Sequence, residues 1–125
     1  MYSAYELTEE SRAELLNSHT PSFSKVICHH ITYQFPVKSK DDLPPTPKTV
    51  KIIGYNVSRT IGVECFVVEI DGERKREDGS FFHITISVDE AKGARPVQSN
   101  ELLRKSGFNR MFNPIVLKVI PKVLG

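Results

Sequence analysis

The sequence predicts an α+β domain of antiparallel strands with two short helices. Three observations carry that reading. Segments rich in β-branched and aromatic residues recur along the chain, two short stretches carry helix-capping signals, and turn-forming residues separate neighbouring strand segments. At 125 residues the chain fits a single domain, 1–125. At that length about two-thirds of the extended-chain surface can be buried, so a core forms without disulfide or metal staples.

Taken in order, residues 3–5 predict a short strand leading into a helix over 9–17. Thr8 is placed to cap it, and Glu9 and Glu10 put negative charge at its positive end. Ala13, Leu15 and Leu16 supply the apolar stripe, and His19-Thr20-Pro21 ends the helix with His19 expected to be exposed. Residues 25–35 predict one strand. Residues 37–48, with Pro44, Pro45 and Pro47, predict a loop long enough to be a flap near a site or an insertion. Residues 50–57, 62–70 and 80–88 predict consecutive antiparallel strands. The last two are joined across 71–79, where Lys75 flanked by Arg74 and Arg76 could steer a phosphate chain towards the site but reads more plainly as a solvated tip neutralised by Glu73, Glu77 and Asp78. Residues 99–105 predict the second helix, capped by Ser99 or Asn100 and closed by Gly107. Residues 115–120 predict a last strand stopped by Pro121. The resulting order is β-α-β-β-β-β-α-β.

Composition narrows the function classes. An apolar fraction of 39% and a charged fraction of 26% are ordinary globular values, and the longest apolar runs are interrupted well short of a membrane span. No basic start followed by an apolar stretch predicts a secretory signal. Cys28 and Cys65 are too few for a disulfide framework and are expected as buried free thiols, which favours a cytoplasmic setting. A net charge of +2 is too small to mark a nucleic-acid binder, so local Lys and Arg would have to supply any phosphate attraction.

The chemistry concentrates in two triplets, His30-Ile31-Thr32 and His83-Ile84-Thr85. On a strand, residues i and i+2 share a face, so His30 stands with Thr32 and His83 with Thr85. Behind them run two apolar rows, Ile27, Ile31, Tyr33 and Phe35 on one strand and Phe82, Ile84, Ile86 and Val88 on the other. By the same alternation His29 should pack on the apolar side. In-line displacement at phosphorus needs a base at the attacking oxygen and an acid at the departing one. Histidine serves both roles near neutral pH, and threonine hydroxyls can bind non-bridging oxygens. Arg95 and Ser99, just before and at the start of the second helix, are further candidates for substrate binding. Cys28, His30 and His83 could make a zinc set, but no CxxC or HExxH supports one, and neither metal nor cofactor is expected.

The segments His30-Ile31-Thr32-Tyr33-Gln34-Phe35 and His83-Ile84-Thr85-Ile86-Ser87 resemble the paired H-x-T signatures of the 2H phosphoesterase superfamily. The resemblance covers the two motifs and their strands. It implies a small two-lobed, pseudo-symmetric fold with antiparallel sheets around a central cleft. It also implies that His30 and His83 are the acid/base pair and that Thr32 and Thr85 bind phosphate. Tyr33-Gln34 departs from the more uniformly apolar residues that often follow the first triplet. The function expected is a metal-independent phosphodiesterase acting on RNA-type phosphodiesters: 2′,3′-cyclic phosphate ends, 2′-5′ linkages or cyclic oligonucleotides. The alternative is a non-catalytic module that holds a nucleotide or RNA end in the same cleft. A nucleotide or RNA-end substrate is the expected partner, with no membrane association, and the chain is expected to act as a monomer.

Overall fold

A computed structural model describes residues 1–125. Its elements are β1 (Tyr2–Leu7), α1 (Glu9–Ser18), β2 (Lys25–Val26), β3 (His30–Gln34), β4 (Val50–Ser58), β5 (Val63–Ile70), β6 (His83–Val88), α2 (Gln98–Ser106), β7 (Asn109–Val116) and β8 (Val119–Leu124). A 3₁₀ turn at Glu90–Lys92 precedes α2. The strands form one sheet of order β7-β4-β5-β6-β3-β1-β8, with β2 also paired to β6. Every pairing is antiparallel. The mixed α and β content and antiparallel pairing follow the expectation, but a single continuous sheet stands where separate sheets were expected. No helix is long and apolar enough to cross a membrane.

The tail departs from the sequence reading and shapes the whole fold. Residues 109–124 form two strands rather than one, and Pro121 lies inside β8 instead of stopping it. Proline is tolerated there because β7 and β8 are the sheet margins, where a missing N–H breaks no ladder. Only Leu117 and Lys118 separate these two strands, although they sit at opposite ends of the strand order. The Leu117 N–H donates to the Val50 carbonyl at 2.8 Å, and the Lys118 carbonyl accepts from the Thr8 N–H at 3.1 Å. The margins are thereby drawn together and the sheet curls around its larger core. That core gathers Tyr5, Ile31, Ile52, Phe66, Ile84 and Leu117, among others, under Leu15 of α1.

α1 begins where expected, with the Thr8 hydroxyl accepting from the Ser11 N–H. Its inward face differs: Ser11 and Leu15 are buried, one turn apart, whereas Ala13 is exposed. The Ser11 hydroxyl accepts the Lys118 N–H at 2.8 Å, tying the helix to the junction of β7 and β8. α2 covers the opposite face of β4–β6, burying Leu102 and Leu103 with Ile53, Cys65, Val67 and Val88. It starts one residue before the expected span, and Val97 rather than Ser99 or Asn100 occupies its N-cap. Residues 37–48 carry no helix or strand, as expected of a loop, and two N–H groups after the prolines, those of Lys48 and Thr49, donate to Asp71 at 2.8 Å each.

The predicted strand 25–35 is broken. Val26 pairs with Ser87 and Ile31 with Ile84, so four residues, 27–30, oppose two, 85–86. This is a bulge with two extra residues. Cys28 adopts a left-handed φ of 44° within it, a conformation costly for a residue with a Cβ. Arg12 of α1 holds the bulge from the side, its Nε donating to the Cys28 carbonyl at 3.0 Å and a terminal nitrogen to that of Ile27 at 3.4 Å.

One charged group lies fully inside. Glu64 on β5 is buried and accepts from the Ser22 N–H at 3.0 Å, the Ser22 hydroxyl at 2.8 Å and the Ser87 hydroxyl at 2.8 Å. His19 Nε2 lies 2.8 Å away, and the Tyr55 hydroxyl donates as well. His19 is therefore half-buried in this network, not exposed as expected. Burial alone would push the Glu64 carboxyl up; the donors from Ser22, Tyr55, His19 and Ser87 outweigh it and hold the group below the ordinary glutamate value. A depressed carboxyl stabilises the fold above the unfolded value of about 4.3, and that contribution is lost as pH falls through the lower folded value. Glu64→Ala strands these donors and should cost about 3 kcal/mol or more. Urea unfolding of both proteins should show that difference at pH 7 and a smaller one in the acid limb.

Candidate active site

β3 and β6 meet through the pair Ile31↔Ile84, whose side chains are both fully buried in the core. Residues flanking that pair turn to the opposite face, because successive strand side chains alternate. Antiparallel directions then set His30 and His83 on one diagonal and Thr32 and Thr85 on the other, related by a local two-fold about the isoleucine pair. Cross-strand diagonal neighbours stand about 7–8 Å apart, within reach of long side chains. All four residues line one cavity of about 420 Å³.

The cavity walls come from four parts of the chain. Tyr2 of β1 lies beside His30 with ring centres 5.4 Å apart. Pro96, Val97 and Asn100 line the wall formed around the start of α2, and Arg76 and Asp78 come from the connection between β5 and β6. Ile27 and Phe35 complete it. Neither of these last two joins the apolar row expected of it: the bulge takes Ile27 out of phase, and Phe35, just beyond the end of β3, is 68% exposed. Tyr33 does remain on the core side, stacked on Phe82.

The charged residues differ most from expectation. Arg76 is not part of a solvated tip. Its side chain is only 10% exposed, with Nε donating to the Ser80 hydroxyl at 2.7 Å and a terminal nitrogen 3.4 Å from Asp78. Its local sequence, a basic run between acids, gives no signal of this burial, which arises because the connection folds back through Lys75↔Phe81. Arg95, in contrast, is exposed and does not line the cavity. Ser99 does not line it either: it is fully buried, and its hydroxyl lies 2.9 Å from that of Thr85. Thr85 also donates to the Pro96 carbonyl at 3.2 Å. Ser99 thus supports Thr85 from behind, and the guanidinium on the cavity wall is that of Arg76, not Arg95.

Cys28 and His29 change places relative to the sequence reading. Cys28 is buried in the core, away from the cavity face, so the Cys28–His30–His83 set is not assembled, and no other group of three or more His, Cys, Asp or Glu side chains has metal-binding geometry. Both cysteines are free. His29 is exposed rather than packed, with its ring against His30 and Glu6.

Both cavity histidines are held neutral. Burial, then the charges of His29 and His83, push His30 down to about 4. His83 is also lowered, by burial and by Arg76, although its Nδ1–H donates to the Phe81 carbonyl at 3.0 Å. That bond directs the His83 Nε2 lone pair away from Phe81. Compared with known families, curated proteins and solved structures, the chain matches none.

These shifts predict a titration. In ¹⁵N-resolved spectra His30 should stay neutral until the pH approaches about 4, and His83 should also titrate below an ordinary histidine. Arg76→Ala should move His83 upward. A lowered histidine opposes folding once the unfolded ring binds its proton, so stability should decline as pH falls from about 6.5 towards the folded value.

Proposed function

We propose that this chain is a phosphodiesterase of two-histidine type, acting on an RNA-like phosphodiester held between His30 and His83. One observation carries the reading: two H-x-T triplets, far apart in sequence, converge on one cavity beside a sequestered arginine. The diagonal arrangement supports a phosphate bound at the local two-fold, with one imidazole at each side of the phosphorus. One ring takes the proton of the attacking water or ribose hydroxyl, and the other protonates the departing ribose oxygen. Thr32 and the Arg76 guanidinium bind the non-bridging oxygens, where charge builds in the transition state. Thr85 joins them by turning its proton from the Pro96 carbonyl to the phosphate, with Ser99 still bonded behind it.

The resting site holds two neutral rings, so it lacks a ready acid. The substrate provides one. A phosphodiester anion placed beside an imidazole favours its charged form, opposing the burial that keeps it neutral. Exposed Phe35 and Val97 on the cavity rim offer apolar surface to a base or ribose. The pseudo-symmetry of the two triplets supports the 2H-like organisation that the motif resemblance implies.

The decisive assay is a panel of 2′,3′-cyclic nucleotides, 2′-5′ and 3′-5′ oligonucleotides and cyclic dinucleotides. Wild type should cleave at least one, with chelator leaving the rate unchanged. His30→Ala and His83→Ala should each lose about 10²–10⁴ in kcat, and Arg76→Ala about 10²–10³. Full activity in either histidine variant would refute the mechanism. Tight binding of a cyclic nucleotide with no product after long incubation would identify the site as a binding module instead.

A further inference from the structure

Outside the four residues of the triplets, one contact chain leads directly into the site. His29 Nε2 lies 3.1 Å from Glu6 Oε1, and His29 Nδ1 lies 3.0 Å from His30 Nδ1. Glu6 is also the β1 residue that pairs with His30 across the sheet. The two contacts favour one arrangement of protons. A carboxylate only accepts, so the Glu6 oxygen beside Nε2 favours hydrogen on that nitrogen of His29. A neutral His29 then has a bare Nδ1, and the Nδ1–Nδ1 contact requires hydrogen on His30 Nδ1. His30 Nε2 is left as a lone pair, the form a general base needs.

The two cavity histidines differ in what backs them. Behind His83 is the Phe81 carbonyl, which accepts a hydrogen bond but does not take up a proton. Behind His30 is a second imidazole, 47% exposed on its side chain and already paired with a carboxylate. We propose that Glu6, His29 and His30 form a proton relay that makes His30 the general base and leaves His83 the general acid. This rests on the phosphodiesterase reading above and assigns the roles which that reading leaves open.

The step balances. As the water or ribose oxygen attacks phosphorus, its proton passes to His30 Nε2. The proton on His30 Nδ1 passes to His29 Nδ1, so His30 stays neutral while His29 becomes an imidazolium beside the Glu6 carboxylate. His83 gives its Nε2 proton to the departing ribose oxygen as the bond from phosphorus to that oxygen breaks. Once product leaves, the His29–His30 hop reverses. Water refilling the cavity then takes the Nε2 proton of His30, which restores two neutral rings, and His83 Nε2 takes a proton from water again when the next phosphodiester binds beside it. The relay moves positive charge from a ring buried near His83 and Arg76 to one at the surface facing Glu6. This removes the conflict between a base that must accept a proton and a pocket that disfavours its charge. Glu6 and His29 act as positioning residues, since neither lines the cavity.

Three variants test this. His29→Gln offers an amide oxygen to the His30 Nδ1–H but cannot take the proton, whereas His29→Phe offers nothing. Glu6→Gln keeps an oxygen at the end of the relay without the charge. On the best phosphodiester of the panel, kcat should fall about 10–100-fold in His29→Gln and Glu6→Gln, and further in His29→Phe. The pH profile of kcat/KM should change in its acid limb in His29→Gln, because His30 alone then carries the charge. A His29→Gln protein with the wild-type rate and pH profile would overturn the relay. A second arm needs no turnover: ¹⁵N shifts of the resting protein should show His30 protonated at Nδ1 and bare at Nε2. His30 carrying its hydrogen on Nε2 would overturn the relay even in an active enzyme. Absence of turnover on every phosphodiester, with His30 in the Nδ1–H form, would instead locate the failure in the phosphodiesterase reading and remove the base role with it.

Discussion

The pairing of Ile31 with Ile84 is the contact on which the site depends. Each isoleucine is buried to the limit, and each drives the histidine and threonine beside it to the other face of the sheet. Burial of two branched apolar side chains, at about 1.5–3 kcal/mol each, therefore holds the register of four polar groups. A slip of one residue on either strand would put an isoleucine into the cavity and a histidine into the core. That penalty specifies the geometry more firmly than any hydrogen bond within the site.

The bulge before β3 turns this register into an asymmetric site. Without its two extra residues, β2 and β3 would run as one strand and His29 would face the core with Ile31. Instead Cys28 fills the core position, at the cost of a left-handed backbone, and His29 swings out to meet Glu6. The cost is met from two directions. Cys28 is fully buried in the larger core, and Arg12 reaches across from α1 to satisfy the carbonyls that the irregular backbone leaves unpaired. The Glu64 network fastens the same region from the other side, since Ser22 and His19 tie the α1–β2 connection to β5. A buried carboxylate with this many donors strongly disfavours alternative packings, because any that loses a donor leaves polar groups stranded.

Much of this was legible in the sequence, and the failures share a cause. The alternation rule placed His30, Thr32, His83 and Thr85 correctly because each triplet lies within a regular strand. It misplaced His29, Ile27 and Phe35 because they fall in or beyond irregular backbone, where regular alternation no longer holds. Nothing local to residues 25–30 announces the insertion; it follows from Arg12, sixteen residues before Cys28, and from the ladder with β6. Arg76 and Arg95 were exchanged for a similar reason. Both sit in polar, turn-rich segments, and only the fold-back of the connection, Lys75 against Phe81, decides which guanidinium is drawn inward. β7 was missed because Pro114 and exposed residues mask a strand that needs only one paired edge.

If the cavity takes the phosphodiester proposed above, its own electrostatics have to supply what the net charge does not. Net charge supplies little long-range attraction, so affinity has to come from a few groups in a low-dielectric pocket. Arg76 is the one guanidinium on the cavity wall. It has exchanged bulk solvent for Ser80 and a loosely placed Asp78, and Asp78 is more than half exposed on its side chain. A guanidinium only partly compensated gains more from a bound phosphate than one locked into a bidentate pair. The same charge depresses His83 while the site is empty, and a phosphate lying between them would reverse the sign of the field at that ring. Substrate binding would thus create the general acid as well as position the phosphorus. A site in which the ligand itself charges one imidazole, while a neighbouring imidazole discharges the other, needs no prior proton imbalance between two chemically identical residues.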